Sequence, residues 1–252
     1  LEPLGPEALA AELTAAAGLS GADQPLAARL LLALRERTDE LSLTAANRQH
    51  LYAPVWRHSP RPLSAHRSSA GTWLIRDSGQ GLGEPLAHAL AARGAAAVIL
   101  PRALGADAAE RDQAALLAAL LQHPSGAAPL RGIIDLHSAA QADAESDPGA
   151  LGVLVSALGA LRALVETAAR LPLWLLTRGA VSTGPGDDLC APAQAALWGL
   201  GRVLFLEHPE LAGGLVDLPA RDPESVLPAL ACELLDSDGE DQLALRAAGR
   251  HV

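Results

Sequence analysis

The sequence predicts an α/β fold in which a mostly parallel, doubly wound sheet carries helices on both faces. Three observations support this prediction. From Gly71 onwards, short apolar segments alternate with longer helical ones, the short segments are rich in Val, Ile and Leu, and glycine or proline marks many of the boundaries. Parallel strands that are buried by crossover helices have this pattern. Because such crossovers are right-handed, the predicted arrangement is Rossmann-like.

Each element follows from its own composition. The predicted strands are "TWLIR" (72–76), "AAVIL" (96–100), "GIIDLH" (132–137), "LWLLTR" (173–178), "GLVDL" (214–218) and "QLALR" (242–246). The predicted helices span residues 84–93, 107–122, 149–170, 192–207 and 223–235. Each helix has about ten residues or more and, with its flanking loops, is long enough to connect two parallel strands.

Residues 1–50 are predicted to form a separate helical segment before this domain, which we place at 51–252. Four leucines lie on or near one stripe of a helical run: Leu26, Leu30, Leu34 and Leu41. The segment is interpreted as a helical linker or cap, and a docking or dimerisation element is the alternative. Residues 51–71 begin as an extended segment and become rich in proline and serine, which is typical of a surface crossing.

The bulk properties exclude several classes of function. The formal net charge is −10, with no basic stripe, which argues against nucleic-acid binding. No apolar run reaches the roughly 20 residues that a membrane span needs. Cys190 and Cys232 are isolated thiols, which favours a reduced, cytoplasmic protein. No histidine stands at metal-ligand spacing from another histidine or a cysteine, so no metal site is predicted.

The absence of lysine is equally informative. All 19 basic residues are arginine. Acting alone, the chain therefore lacks the ammonium group that Schiff-base enzymes and P-loop NTPases require. It also lacks the Tyr–Lys pair of short-chain dehydrogenases.

The segment "DSGQGLGEP" follows the first predicted strand and looks like a dinucleotide-binding turn. In such a turn, backbone N–H groups and a helix N-terminus face a pyrophosphate. The fingerprint needs glycines at G-x-G-x-x-G. Here they are Gly79, Gly81 and Gly83, so the third comes one position early and Glu84 takes its place. In the variant G-x-x-x-G-x-G the last position is Pro85, which has no N–H.

Charge also opposes an anion at this turn. Asp77 and Glu84 flank it, and two like unit charges about 4 Å apart repel by roughly 4 kcal/mol at an intermediate dielectric. Arg102 follows the second predicted strand, where an NADP-binding protein can place a residue for the 2′-phosphate. A single arginine after a strand is usually only solvated. We therefore predict a degenerate turn and no bound cofactor.

The residues of a reductase site are also missing. A reductase of this fold needs a phenol that donates a proton and a cation that lowers its pKa. The single tyrosine, Tyr52, precedes the predicted sheet, and Trp198 and Arg202 stand at the i, i+4 spacing where Tyr and Lys would be expected. An indole N–H is not an acid near neutral pH. No catalytic residue is predicted.

Three polar groups receive structural interpretations instead. Ser182 and Thr183 lie in a Gly/Pro-rich loop and are predicted to stabilise its turns. Asp187 and Asp188 are predicted to form a polar turn. His208, which precedes Pro209, is predicted to end a helix.

Several segments resemble the structural subdomain of ketoreductases from modular type I polyketide synthases. They are "LYAPVW", "GTWLIRDSGQGLGEPLAHALAARGAAAVIL", "RGIIDLHS", "LWLLTRGAVSTGPGD", "APAQAALWGLGRVLFLEHPELAGGLVDLP" and "DGEDQLALRAAGRHV". The most specific block runs from Pro192 to Leu218. The resemblance covers about residues 51–252 and leaves the first 50 residues outside it.

The resemblance implies a truncated Rossmann-like subdomain that has no catalytic residues and braces a catalytic subdomain, which binds NADPH. The chain would then be a non-catalytic scaffold in a cytoplasmic multienzyme of secondary metabolism. Its partner would be a ketoreductase catalytic subdomain or, for a pseudo-ketoreductase, a methyltransferase or dehydratase. One alternative is a fragment of an NADPH-dependent β-ketoacyl reductase whose catalytic half lies outside the chain.

An interface with that neighbour is predicted on two elements, the 192–207 helix and the terminal segment "QLALRAAGRHV". The candidate interface residues are apolar: Leu197, Trp198, Leu200, Val203, Leu243 and Leu245.

Overall fold

A computed structural model describes Arg29 and residues 55–61, 71–103, 107–124, 126–139, 149–187 and 189–252. The predicted helical segment 1–50 lies, apart from Arg29, outside the described residues, and so does Tyr52. The remaining ranges belong to one unit, Val55–Val252.

The elements follow the predicted alternation. The strands are β1 (Thr72–Asp77), β2 (Ala96–Pro101), β3 (Leu130–Asp135), β4 (Leu173–Arg178), β5 (Ala212–Leu218), β6 (Gln242–Arg246) and β7 (Gly249–His251). The α-helices are α1 (Gly83–Ala91), α2 (Ala108–Leu121), α3 (Gly149–Thr167), α4 (Ala195–Glu207) and α5 (Leu227–Leu235). The predicted helices 192–207 and 223–235 both begin with a short 3₁₀ turn, Pro192–Gln194 and Pro223–Val226. Proline at the start of each explains the tighter turn.

The terminal segment "QLALRAAGRHV" forms two strands. The prediction treated it as one, with "QLALR" as its recognisable part. Gly249 has φ of +125°, so the backbone reverses after Arg246, and β7 returns antiparallel to β6. Strands of only three residues carry too little side-chain pattern to be predicted.

The strands form one seven-stranded sheet in the order β2-β1-β3-β4-β5-β6-β7. Strands β1 to β6 are parallel, and β7 is antiparallel. The order reverses between β1 and β3, which is the topological switch point of a doubly wound sheet. Compared with the classic order 3-2-1-4-5-6, the described residues contain no strand beyond β2. The prediction of a truncated Rossmann-like α/β fold is confirmed.

Helices cover the sheet on both faces. Helices α1 and α5 pack on one face, and α2, α3 and α4 pack on the other. Trp73 and Trp174 lie on the first face, above neighbouring strands where glycine leaves room for them. A Cβ on Gly132 would come within 2.6 Å of Cζ3 of Trp73, and one on Gly214 within 2.6 Å of Cζ3 of Trp174. Each of these two tryptophans therefore needs a glycine on the neighbouring strand.

The segment 55–61 covers the outer edge of β7. The Arg57 N–H donates to the Val252 carbonyl at 2.8 Å, and the Val252 N–H donates back at 3.0 Å. His58 and His251 form the next bridge of this antiparallel pairing. The predicted surface crossing thus begins as a pairing segment at the sheet edge.

Glu233, a buried residue of α5, binds this segment to the end of the chain. Its carboxylate lies 3.0 Å from Arg61 Nη1 and 3.0 Å from Arg250 Nε. Burial raises the pKa of Glu233, although the two guanidinium groups oppose that rise. Arg250 also holds both carboxylate oxygens of Asp238, at 2.7 and 2.8 Å.

Candidate functional site

The glycine-rich turn lies at the carboxyl end of β1, where doubly wound folds bind nucleotides. Gly79 and Gly81 have φ of +77° and +80°, in the left-handed region that favours glycine. Gly83 is the first residue of α1, and a Cβ there would come within 2.7 Å of Asp77 Cγ. The backbone angles at Gly79 and Gly81 and the close packing at Gly83 therefore explain all three glycines, whether or not the turn binds a ligand.

Acidic groups lie at the N-terminus of α1, where a phosphate would bind. The Asp77 side chain packs directly against Gly83, and its Oδ1 is buried without a hydrogen-bond partner among the described residues. Glu84 is exposed in the first turn of α1, and Pro85 follows it without an N–H. The turn has the shape of a phosphate-binding turn, but its carboxylates carry the same sign of charge as a phosphate and would repel it.

A buried polar cluster lies next to the switch point, on the face of the sheet that α2 and α3 cover. Arg76 of β1 lies 2.5 Å from Asp135 of β3, and the same guanidinium reaches the Ser156 carbonyl of α3 at 3.2 Å. His137 follows β3, and its Nδ1 lies 2.9 Å from Ser156 Oγ and 3.2 Å from Arg76 Nη2. All four side chains are buried. The sequence analysis did not identify this cluster.

His137 is held neutral in this cluster. Burial lowers the pKa of His137 from 6.5 to about 4; the nearby carboxylates of Asp135 and Asp112 oppose the shift, and Arg76 and Arg102 add to it. Asp112 Oδ2 of α2 lies 3.5 Å from the same Nδ1 of His137, and Nε2 is buried without a hydrogen-bond partner among the described residues. Asp112 also accepts the Ala103 N–H at 2.6 Å. The cluster therefore joins β1, β3, α2 and α3.

A second network closes the carboxyl ends of β4, β5 and β6. Asp217 of β5 is fully buried and accepts hydrogen bonds from Thr177 Oγ1 at 2.6 Å and the Ala180 N–H at 2.9 Å. Arg246 of β6 donates to Asp217 Oδ2 at 2.8 Å and to the Val181 carbonyl at 2.8 Å. Burial raises the pKa of Asp217, while these donors and Arg246 act against it. The network fixes the loop after β4 onto the sheet.

The same arginine reaches the far end of that loop. Arg246 Nε lies 3.2 Å from Asp187, which also accepts the Thr183 N–H at 2.6 Å and the Thr183 hydroxyl at 2.9 Å. Burial opposes ionisation, yet Thr183 and Arg246 outweigh it and lower the pKa of Asp187. Ser182 Oγ donates to the Gly184 carbonyl at 3.2 Å. The predicted roles of Ser182, Thr183 and Asp187 in turns are confirmed, and Asp188 lies outside the described residues.

Trp198 fills the position expected for a proton donor. Its indole N–H donates to Thr177 Oγ1 at 3.0 Å, and the side chain is buried. The Trp56 ring meets it edge-on, with centroids 5.6 Å apart, and the Arg202 guanidinium lies 5.9 Å from its ring centroid. Trp198 and Arg202, four residues apart on α4, therefore form a packed pair that contains no acid.

The candidate interface residues occupy two different environments. Leu197, Trp198, Leu243 and Leu245 are buried in the cores of this domain, and they present no surface to another one. Leu200 is half-buried. Val203 is 51% exposed. The interface expectation is thus reduced to the outer side of α4.

A stripe of exposed apolar residues lies on α3, which the prediction did not consider as an interface. Its members recur at helical spacing and are exposed: Leu151, Val155, Leu158 and Val165. The helix is apolar on nearly all sides, so the sequence pattern alone does not distinguish its buried face from its outer face. On α4, Leu206 is also exposed, at 83%.

Neither a metal centre nor a membrane span is found in the described ranges. No three His, Cys, Asp or Glu side chains there are grouped so that they could hold a metal ion. The helices in those ranges are too short or too polar to cross a bilayer. His208 ends α4, and its ring lies 3.1 Å from Glu210 on the surface.

Comparison with known proteins identifies the domain. Residues 55–252 match the family of the Rossmann-fold domain of the polyketide synthase extender module SpnB. The chain belongs to this family. The resemblance to the structural type of polyketide synthase ketoreductase subdomain, predicted from the sequence, is confirmed.

The relatives that match this chain are much longer than it is. Polyketide synthase GfsA of Streptomyces halstedii is 40% identical over 202 residues, which are 79% of this chain and 3% of that protein. The pikromycin synthase component PikAIII of Streptomyces venezuelae is 35% identical over 83% of this chain and 12% of that protein. A C2-type ketoreductase from a modular polyketide synthase superposes with a TM-score of 0.61 at 34% identity, over 78% of this chain and 42% of that one. An A-type ketoreductase gives 0.59 at 32% identity, over 79% and 40%. The chain thus spans less than half of each ketoreductase structure.

Proposed function

We propose that this domain is a non-catalytic scaffold of a type I polyketide synthase that braces a neighbouring catalytic domain. The observation that carries this proposal is the exposed apolar stripe of α3, together with exposed Val203 and Leu206 of α4, a helix that packs on the same face of the sheet. Soluble domains rarely expose a contiguous apolar patch of this kind unless it is an interaction site. An intrachain domain interface of the usual size, about 600–1,500 Å², would cover it.

The partner that fits is the part of a ketoreductase that the structural match does not cover. The chain corresponds to 42% of the C2-type ketoreductase and 40% of the A-type enzyme, so the larger part of each has no counterpart here. A catalytic subdomain is therefore the expected occupant of the α3–α4 surface. A methyltransferase or dehydratase domain in that position is the alternative for a pseudo-ketoreductase.

Three features of the described residues support a scaffold over a reductase. Asp77 and Glu84 occupy the phosphate end of the glycine turn. Trp198 takes the place of an acid, and its N–H is already bonded to Thr177. The loop that follows β4 is held onto the sheet by the hydrogen bonds that its backbone makes with Asp217 and Arg246.

The interface can be tested with a matched pair of substitutions. We expect the double substitution Val155→Glu and Leu158→Glu to weaken binding of a ketoreductase catalytic subdomain from the same synthase at least tenfold. Charged side chains would then replace apolar side chains that the complex buries. Leu189→Glu places one such charge at another exposed leucine, in the loop after β4, and is expected to change binding little. Titration calorimetry would measure both. Equal binding by the wild type and the double variant would refute the proposed surface.

The alternative, a reductase that acts by itself, has a separate test. Titration of the purified chain with NADPH, followed by fluorescence, is expected to show no binding in the micromolar range. A dissociation constant in that range would overturn the scaffold proposal whatever the outcome at the α3–α4 surface. A docking or dimerisation role for residues 1–50 predicts that light scattering finds an oligomer when these residues are present and a monomer when they are removed. A monomer in both cases would exclude that role.

A further inference from the structure

Strand β2 has the composition of an interior strand but lies at an edge. Its sequence, "AAVILP", contains no charged residue, and its single proline is its last residue. Among the described residues only β1 pairs with it. Edge strands in natural proteins are usually protected by charges, prolines, bulges or a covering segment. The other edge of this sheet, at β7, is covered by residues 55–61.

The backbone groups on the outer side of β2 can be assigned. The Ala96 N–H donates to the Gly71 carbonyl at 2.9 Å, so Ala96 faces β1. Because the direction of these groups alternates along a strand, Val98 also faces β1. Ala97 and Ile99 then direct both N–H and C=O groups away from the sheet. Two adjacent hydrogen-bonding positions are therefore presented at the edge.

We propose that this edge pairs with β2 of a second copy of the chain, antiparallel, about a twofold axis at Val98. In this register Ala97 faces Ile99 of the second copy, and the two residues exchange both of their backbone hydrogen bonds. The symmetry-related pair does the same. A twofold contact of this kind joins the same patch on both copies, which is the commonest form of self-association.

A second copy fits because the edge is its own complement. Val98, which is 45% exposed, meets Val98 of the second copy as a non-hydrogen-bonded pair, where opposing side chains are closest. Two β-branched side chains favour such a pair, and no charges oppose each other within the strand.

The flanking residues make the contact weak and dependent on salt. Arg93 and Arg102 precede and follow the strand. In the proposed register Arg102 lies opposite Gly94 of the second copy, so guanidinium groups of the two copies come close together at each end. Their repulsion is screened by salt. Dimerisation is therefore expected only at high protein concentration, and it should strengthen as the salt concentration rises. An interface held by ion pairs would show the reverse salt dependence.

Amide hydrogen exchange of the full chain, measured by NMR over micromolar to millimolar concentrations, tests the pairing directly. In dilute solution we expect fast exchange at Ala97 and Ile99 and slow exchange at Val98, which is bonded within the sheet. At high concentration Ala97 and Ile99 are expected to become at least tenfold more protected, while light scattering shows a dimer. Protection of these two amides at every concentration would show that a single chain covers the edge. That result, or a monomer at every concentration, would overturn the proposal.

Three substitutions make the test specific. Val98→Lys places two ammonium groups at the twofold axis and is expected to abolish the dimer, while circular dichroism checks that the monomer stays folded. Val98→Thr keeps a β-branched, uncharged side chain and is expected to retain it. Leu206→Lys adds the same charge on the outer side of α4 and is expected to leave the dimer intact. Loss of the dimer with Leu206→Lys and not with Val98→Lys would assign self-association to the α3–α4 surface and overturn pairing through β2.

Discussion

The indole N–H of Trp198 donates to Thr177 Oγ1, and that hydroxyl in turn donates to the fully buried carboxylate of Asp217 at 2.6 Å. The chain of bonds links α4 to β4 and β5 inside the core. The Thr177 hydroxyl is the central group, because it accepts one of these hydrogen bonds and donates the other.

Replacing that hydroxyl is expected to be costly. Thr177→Val keeps the shape but leaves the Trp198 N–H and one Asp217 oxygen without this partner, and it should lower the free energy of unfolding by about 2–3 kcal/mol. Thr177→Ser retains the hydroxyl and should cost about 1 kcal/mol or less. Urea denaturation of both variants measures the difference. Equal midpoints for valine and serine would show that the hydroxyl contributes nothing.

Removing the charge partner of Asp217 should have a larger effect. Arg246→Met leaves Asp217 buried with the Thr177 hydroxyl and the Ala180 N–H as hydrogen-bond donors but with no cation, and such a loss typically costs about 3–5 kcal/mol. Arg202→Met is the control, since it removes an exposed bond to Gln242 and a contact with Trp198, and should cost about 1 kcal/mol. If the two variants unfold at the same denaturant concentration, Arg246 has no special role.

The buried imidazole predicts a loss of stability in acid. The pKa of His137 is about 4 in the folded protein and 6.5 when unperturbed. Above pH 6.5 neither state binds the proton, so the contribution is complete there; as the pH falls towards 4 only the unfolded chain becomes protonated. The loss over this window should be about 3 kcal/mol. His137→Gln keeps an acceptor for Arg76 without this titration, so its unfolding free energy should depend less on pH by that amount. Parallel pH profiles for the two proteins would contradict the assignment.

The close contact at the start of α1 predicts a coupling. Gly83→Ala places a Cβ within 2.7 Å of the Asp77 carboxyl carbon, and it should destabilise the protein by about 1–3 kcal/mol. The penalty should be smaller in an Asp77→Ala background, which a double-mutant cycle would measure. Gly199→Ala, on an open side of α4 with no atom within 4 Å, should instead stabilise by about 0.5–1 kcal/mol. Additive effects of Gly83→Ala and Asp77→Ala would rule out the contact as their cause.

The sequence predicted the strands well because their side chains carry the pattern locally. The bounds of β4 and β6 agree with the predicted 173–178 and 242–246. Strands β3 and β5 begin two residues before their predicted starts, where glycine and polar residues still pair in the sheet, and β3 also ends two residues before its predicted end. Periodicity cannot show such extensions because hydrogen bonding, and not side-chain burial, defines them.

The polar networks could not be predicted, since they depend on contacts between residues far apart in the chain. Arg76 and Asp135 are neighbours only because β1 and β3 are adjacent in the sheet. Leu197 and Trp198 were candidate interface residues, yet they lie on the inner side of α4. In a helix with apolar residues on several sides, composition indicates burial without showing which partner provides it.

The tryptophans of this protein are divided between the two faces of the sheet. Trp73 and Trp174 belong to the core under α1 and α5, whereas Trp198 and its neighbour Trp56 belong to the core under α2, α3 and α4. These are all four tryptophans of the chain. Variants that keep only one pair would therefore emit from one side of the sheet alone, and their fluorescence during unfolding would report whether the two layers of the domain melt together or in succession.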